Sequence, residues 1–199
     1  KSVNNIMIVL YAFVVISFFI TIVDIIIRFP LQSEMIDYND IQAIVINVLA
    51  LLIQIVFFAY GFVNAIRGML SPKRMGAVIV AFFAATCITG TGNMVINSNV
   101  QIVLWWIVLI IPNIVGAVAT FAYFVSGKKS KIYSIIIYLA AIWGMFRIIY
   151  SNYNLIVHAN QYLSMNSTVR LVLGIAIHCL VIYQTYVLWI KRQNAIDIS

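Results

Sequence analysis

The chain has 199 residues, of which 64% are hydrophobic and only 9% charged, with a formal net charge of +7. A soluble domain carries about 25% charged residues, so this composition excludes a water-soluble globular protein, and a mean hydropathy of +1.08 points to a membrane. The basic excess sits in short connectors between apolar runs, which argues against a nucleic-acid surface and reads as orientation of the chain in a bilayer.

Runs of 18 or more mostly apolar residues read as membrane-spanning helices. Six occur, at about 5–28, 41–66, 75–96, 102–126, 132–152 and 169–190. None alternates polar and apolar residues as a β-barrel strand would. The expected fold is therefore all-α: one polytopic six-helix transmembrane bundle over residues 1–199.

The first run contains "FFITIVDIIIRF" (18–29), with Asp24 and Arg28 inside it. It is too long, and lacks the small-residue cleavage site, to be a signal peptide. Ser17, Thr21, Asp24 and Arg28 are spaced 4, 3 and 4, so they share one helix face. Pro30 is expected to end this helix, and the connector that follows carries Glu34, Asp37 and Asp40, the last placed to cap helix 2. Helix 2 repeats Asn47, Gln54 and Gly61 at spacings of seven.

"RGMLSPKR" (67–74) then supplies a basic turn with Gly68 and Pro72 as helix stoppers. Helix 3 carries Thr86, Thr89, Asn93 and Asn97, and "TGTGN" (89–93) reads as its close-packed exit. Helix 4 opens with Trp105 and Trp106 as interfacial anchors and presents Pro112, Asn113, Gly116 and Thr120 on one side. "GKKSK" (127–131) is the second basic turn.

Helix 5 contains a second polar stripe, Gly144, Arg147, Ser151, Asn154 and His158, and leads into a half-apolar connector near 151–168. Helix 6 contributes Gly174, His178 and Thr185, with Tyr186 and Trp189 at its end and "KR" (191–192) beyond. Cys87 and Cys179 lie within spans, where thiols act as small hydrophobes, and a bond between them is a minor alternative.

Nine of the twelve basic residues, Lys1, Arg67, Lys73, Arg74, Lys128, Lys129, Lys131, Lys191 and Arg192, then fall on one side. That side is expected to be cytoplasmic and to hold both termini, and contact with anionic lipid headgroups accompanies the same placement. The Ile- and Asn-rich, Ala-poor composition suggests AT-rich coding and a bacterial cytoplasmic membrane.

Small residues allow close helix approach, and amides and hydroxyls are expected to bond across helices. Packing of this kind accounts for Asn47, Gln54, Asn113 and Thr120, and mid-span His178 reads as a neutral histidine bonded to a neighbouring helix. The charges need a different account, because an Asp or Arg at the bilayer centre costs about 2.5–3.5 kcal/mol. Asp24 is expected to pair with Arg147, Arg28 or both. That pair is either a clasp between helices 1 and 5 or the lining of an outward-facing polar cavity with Asn93, Tyr150, Asn154 and His158 nearby.

No Walker A, GxSxG or HExxH sequence occurs, and no Cys/His ligand cluster. An enzyme, a cofactor site and a metal site are therefore not expected. In size, helix number and both-ends-inside topology the chain is similar to the substrate-binding subunits of energy-coupling-factor vitamin importers. The likeness is architectural, carried by no motif, and the alanine-rich first helix that docks the partner is not seen in "IMIVLYAFVVISFFITIVDIII". The expected function is a small transport or solute-binding subunit. The alternative is a non-catalytic accessory, immunity or assembly component that binds a protein partner and no solute.

Overall fold

The structure is a computed structural model that describes residues 2–32, 38–96, 100–128, 130–151 and 165–196. These form helices α1 (Ser2–Gln32), α2 (Tyr38–Ile66), α3 (Pro72–Ile96), α4 (Val100–Thr120), α5 (Lys131–Ser151) and α6 (Met165–Ile196). One π-helical turn, Phe121–Val125, follows α4, and no strand occurs among the described residues.

The turn between α2 and α3 shows how local chemistry sets the boundaries. Gly68 adopts a φ of 66°, which a side chain would oppose. Its N–H donates to Ala65 O at 3.0 Å and Met69 N–H to Asn64 O at 2.8 Å, the paired bonds that close a helix C-terminus. Ser71 then caps α3, its Oγ accepting from Arg74 N at 3.3 Å, while Pro72 occupies the first helical position. Gly127, at φ 71°, does the same work after the π turn. That turn is closed by Ser126 N–H donating to Phe121 O at 2.9 Å. Its wider winding lets three successive residues, Ala122, Tyr123 and Phe124, all face the core.

The helices form a ring. Each packs against its neighbour in sequence, and α6 packs against both α5 and α1 to close the circle. α3 and α6 also meet across the middle and are the most enclosed helices.

The interhelical seams are built from rings and branched side chains set on glycine. The Tyr11 ring lies directly on Gly61, and Phe124 on Gly76. A methyl group on Gly116 would stand 2.9 Å from Ala140 Cβ and 3.0 Å from the Phe83 ring, and one on Gly174 would stand 2.7 Å from Ile148. Side chains this close allow the dense packing that holds helices together in lipid.

The outer surface is apolar. Ile6, Val9, Phe13, Ile16, Ile20 and Val23 are exposed along α1 at helical spacing. Similar rows run along α2 (Val45, Leu49, Leu52, Val56, Tyr60), α4 (Leu104, Ile107, Ile111, Ile114, Val118) and α5 (Ile132, Ile135, Leu139, Ile142, Phe146). Water would not tolerate such continuous rows. Five of the helices are long and apolar enough to cross a bilayer. The chain is a multi-pass helical membrane protein.

Three sequence expectations change. α1 runs through Pro30 to Gln32: the fixed proline φ is itself helical, and the helix continues at the cost of the one backbone bond that Pro30 has no N–H to donate. α2 begins at Tyr38, so Asp40 stands inside its first turn instead of capping it. Five intramembrane hydroxyls, Thr120 among them, bond backward along their own helix instead: Ser17 donates to Phe13 O, Thr21 to Ser17 O, Thr86 to Phe82 O, Thr120 to Gly116 O and Thr185 to Val181 O, at 2.7–3.0 Å. The second lone pair of the carbonyl four residues back is always in reach, whereas a partner on another helix requires a matched position. Both cysteines are free, and Cys179 lies on the exposed surface.

Across the α1–α6 seam, Gln184 Nε2 donates to the Tyr11 hydroxyl, and both side chains are completely enclosed. Gln184 Oε1 has no partner among the described residues. Losing either member strands the other, so Tyr11→Phe and Gln184→Leu should each lower stability by about 1–2 kcal/mol. The double variant should lose less than the sum. Unfolding titrations in detergent measure this, and strictly additive losses would show that the two side chains are not coupled.

Candidate functional site

The polar layer nearest to a site is built from α5, α6 and α3. Gly174 and His178 are one turn apart on α6, and His178 Nδ1 lies 2.7 Å from Gly174 O. A carbonyl only accepts, so Nδ1 carries the hydrogen and the neutral ring keeps its lone pair on Nε2. Nε2 faces α5 at Gly144, where any side chain would overlap the ring. Phe82 of α3 meets the other side edge-on, with centroids 5.0 Å apart and planes at 88°. The imidazole is thus fixed in tautomer and position, with only 3% of its surface exposed. The bond that fixes it comes from its own helix, not from a neighbour as the sequence reading had it; the neighbours contribute packing.

Arg147 stands one turn beyond Gly144 on the same stripe of α5. It is half-buried and close enough for its charge to act on His178. A guanidinium has five donors and no acceptor, and Nε2 of a neutral histidine is an acceptor. Arg147 is therefore a donor-only cation in the same region of the bundle as a histidine whose Nε2 is closed off against Gly144. A guanidinium there can meet a carboxylate, phosphate or hydroxyl group, from a solute or from the chain itself.

The α1 stripe faces the bundle where it is described: Ser17 and Thr21 are both buried. Asp24 and Arg28 lie on the helical backbone of α1, and their side chains fall outside the described residues. The Asn93 side chain and residues Asn154 and His158 also lie outside them. In the ring, α6 stands between α1 and α5, so any pocket shared by those two helices is lined by α6 as well.

Tyr150 is exposed and stacks on Phe146 at 6.2 Å, continuing an outward aromatic row from Trp143, whose ring is 6.0 Å from Phe146. Trp143 Nε1 is buried without a partner among the described residues. Asn113 is buried, Gln54 is partly buried and Asn47 is exposed. The seat of His178 on Gly144 escaped sequence reasoning. Its only trace is the placement of Gly144 three residues before Arg147 and Gly174 four before His178.

No protein-family model matches the chain, and no curated protein and no solved structure matches it.

The seat predicts a specific epistasis. Gly144→Ala should lower stability by about 1–3 kcal/mol by driving a methyl group into the imidazole. In a His178→Ala background the same change should be nearly neutral. Thermal unfolding of the four proteins in one detergent tests this; an equal loss in both backgrounds would remove His178 from the contact.

Proposed function

We propose that the chain crosses a bacterial cytoplasmic membrane six times with both ends inside. In this reading it is a small transport or solute-binding subunit whose polar site faces outward and is lined by α1, α5 and α6. Several features support the topology. α4 with its π turn extends roughly 39 Å at 1.5 Å per residue, beyond the ≈ 30 Å hydrocarbon core. Lys73 and Arg74 stand in the first turn of α3, and Lys131 opens α5. A cation at a helix N-terminus opposes the helix dipole by about 0.3–1 kcal/mol. Local stability does not explain that placement; retention of positive charge on the cytoplasmic side does.

The observation that carries the functional reading is Arg147, half-buried within the apolar span of α5 and near enough to His178 for its charge to act there. Helix seams are closed by rings on glycines, and Thr120 and Thr185 are bonded within their own helices. Neither device requires a guanidinium, and a charge at that depth is unfavourable unless it has work to do. Binding a solute with an acceptor group is such work. Asp24, if it approaches the same layer from α1, would set the charge balance that selects the solute.

The rival reading is an accessory, immunity or assembly component, in which Arg147 is a clasp to another helix. A thermal-shift screen of small metabolites on the purified protein separates the two. Solute binding predicts a compound that stabilises the native chain but not Arg147→Gln, whose own melting temperature stays within a few degrees of native, as roughly 1 kcal/mol shifts it by 2–4 °C in a chain of this size. A clasp predicts no stabilising compound and a markedly lower melting temperature for Arg147→Gln.

A further inference from the structure

The end of the bundle that carries the basic turns has one feature that orientation alone does not require. The Arg192 guanidinium at the end of α6 reaches to the turn after α4. Its Nη2 donates to Tyr123 O at 2.6 Å and its Nη1 to Lys128 O at 3.0 Å, and it lies over the Tyr123 ring at 4.2 Å. This latch fastens the end of α6 to the α4–α5 connector. Exposed Lys191, next to Arg192, is thereby brought to the same junction as exposed Lys128 and Lys131. The Lys128 ammonium is held on the α5 side, 5.8 Å over the Tyr133 ring.

Directly along the helices from these cations the surface turns apolar. Ile132, Ile135 and Leu139 are exposed in line along α5, and on α6 the Tyr186 and Trp189 rings lie 6.5 Å apart just before Lys191. On α6 the aromatic pair precedes the cation, and on α5 the exposed aliphatic row starts directly after Lys131. The other basic turn is arranged differently. Arg74 folds back onto Met69 O of its own turn at 2.6 Å, and Arg67 and Lys73 are exposed, with no cation from another helix hydrogen-bonded to that turn among the described residues.

We infer that the junction of the α4–α5 connector with the end of α6 is a binding site for an anionic phospholipid, its phosphate among Lys128, Lys131 and Lys191 and its acyl chains along the exposed face of α5. Charge complementarity favours an anion, and continuity with the apolar row favours an amphiphile. An acidic protein would meet the lysines but leave Ile132, Ile135 and Leu139 uncovered; a lipid covers both. Arg192 acts as a positioning residue here, with its donors bonded to backbone carbonyls. The site stands apart from the Arg147 layer and does not depend on the solute reading.

The full chain, purified in mild detergent and titrated with phosphatidylglycerol or phosphatidylcholine, provides the test, with native mass spectrometry counting the lipids retained. The native protein should retain phosphatidylglycerol in preference to phosphatidylcholine. Lys128→Gln/Lys131→Gln/Lys191→Gln should weaken that retention at least about tenfold, whereas Arg67→Gln/Lys73→Gln should leave it within about twofold. All five positions are exposed, and unchanged melting temperatures would show that the variants are folded. Inorganic phosphate should fail to displace the lipid, because it lacks the apolar contact. Equal losses in both variants would reduce the site to a diffuse surface field and overturn the inference. Equal retention of the two lipids, or displacement by phosphate, would overturn it too. An acidic protein that co-purifies with the native chain and is lost from the triple variant, with lipid retention unchanged, would assign the surface to that protein instead.

Discussion

In hydrocarbon a polar group must find its partner within the protein, and for several side chains here that partner is the group's own helix. Serine and threonine hydroxyls on α1, α3, α4 and α6 bond to the carbonyl four residues back, and His178 does the same with Gly174. Each helix thereby carries polar residues without depending on a neighbour for their satisfaction. Helix recognition is left to shape. Tyr11 on Gly61, Phe124 on Gly76, Ile148 on Gly174 and His178 on Gly144 are matched projections and hollows, and they fix which helices meet and at what height.

This division of labour makes the exceptions informative. Tyr11 with Gln184 is a polar bond across a seam, deep in the core, and it leaves one amide oxygen without a partner. Arg192 is a second exception, tying three elements together where water and headgroups begin. Arg147 is the third: a cation whose role neither shape nor self-bonding explains. The functional readings rest on the last two.

Much of this was legible in the sequence, for physical reasons. Length and apolarity announce helices in a membrane, and spacing by threes and fours shows which side faces in. Ser17 and Thr21, and Asn113, Gly116 and Thr120, lie inward as their spacing implies. The turns at Gly68 and Gly127 are local chemistry and were equally readable. What could not be read was any match between distant segments. Nothing in "IVLYAF" says that Tyr11 will rest on Gly61 or meet Gln184, and the tyrosine alone resembles an interfacial anchor. Nor does composition distinguish a hydroxyl bonded backward from one bonded across. The Pro30 boundary shifted because a proline weakens a helix by one bond without obliging the chain to turn there, and residue type alone does not say which way that balance falls. At the site itself, Arg147 and His178 were both visible as polar residues in spans, but not the seat of His178 on α5, because the glycine that permits it sits on a different helix from the histidine.

The central claim is that Arg147 occupies a layer reached by water from the outer side and not a sealed seam. The most direct measurement is chemical accessibility. With Cys87 and Cys179 replaced by alanine, Arg147→Cys in oriented membrane vesicles would be treated with a membrane-impermeant maleimide from each side in turn. The account predicts labelling from the side opposite the basic turns and protection from the other. A thiol at 147 that stays unlabelled from both sides, in a protein that still folds, would contradict it.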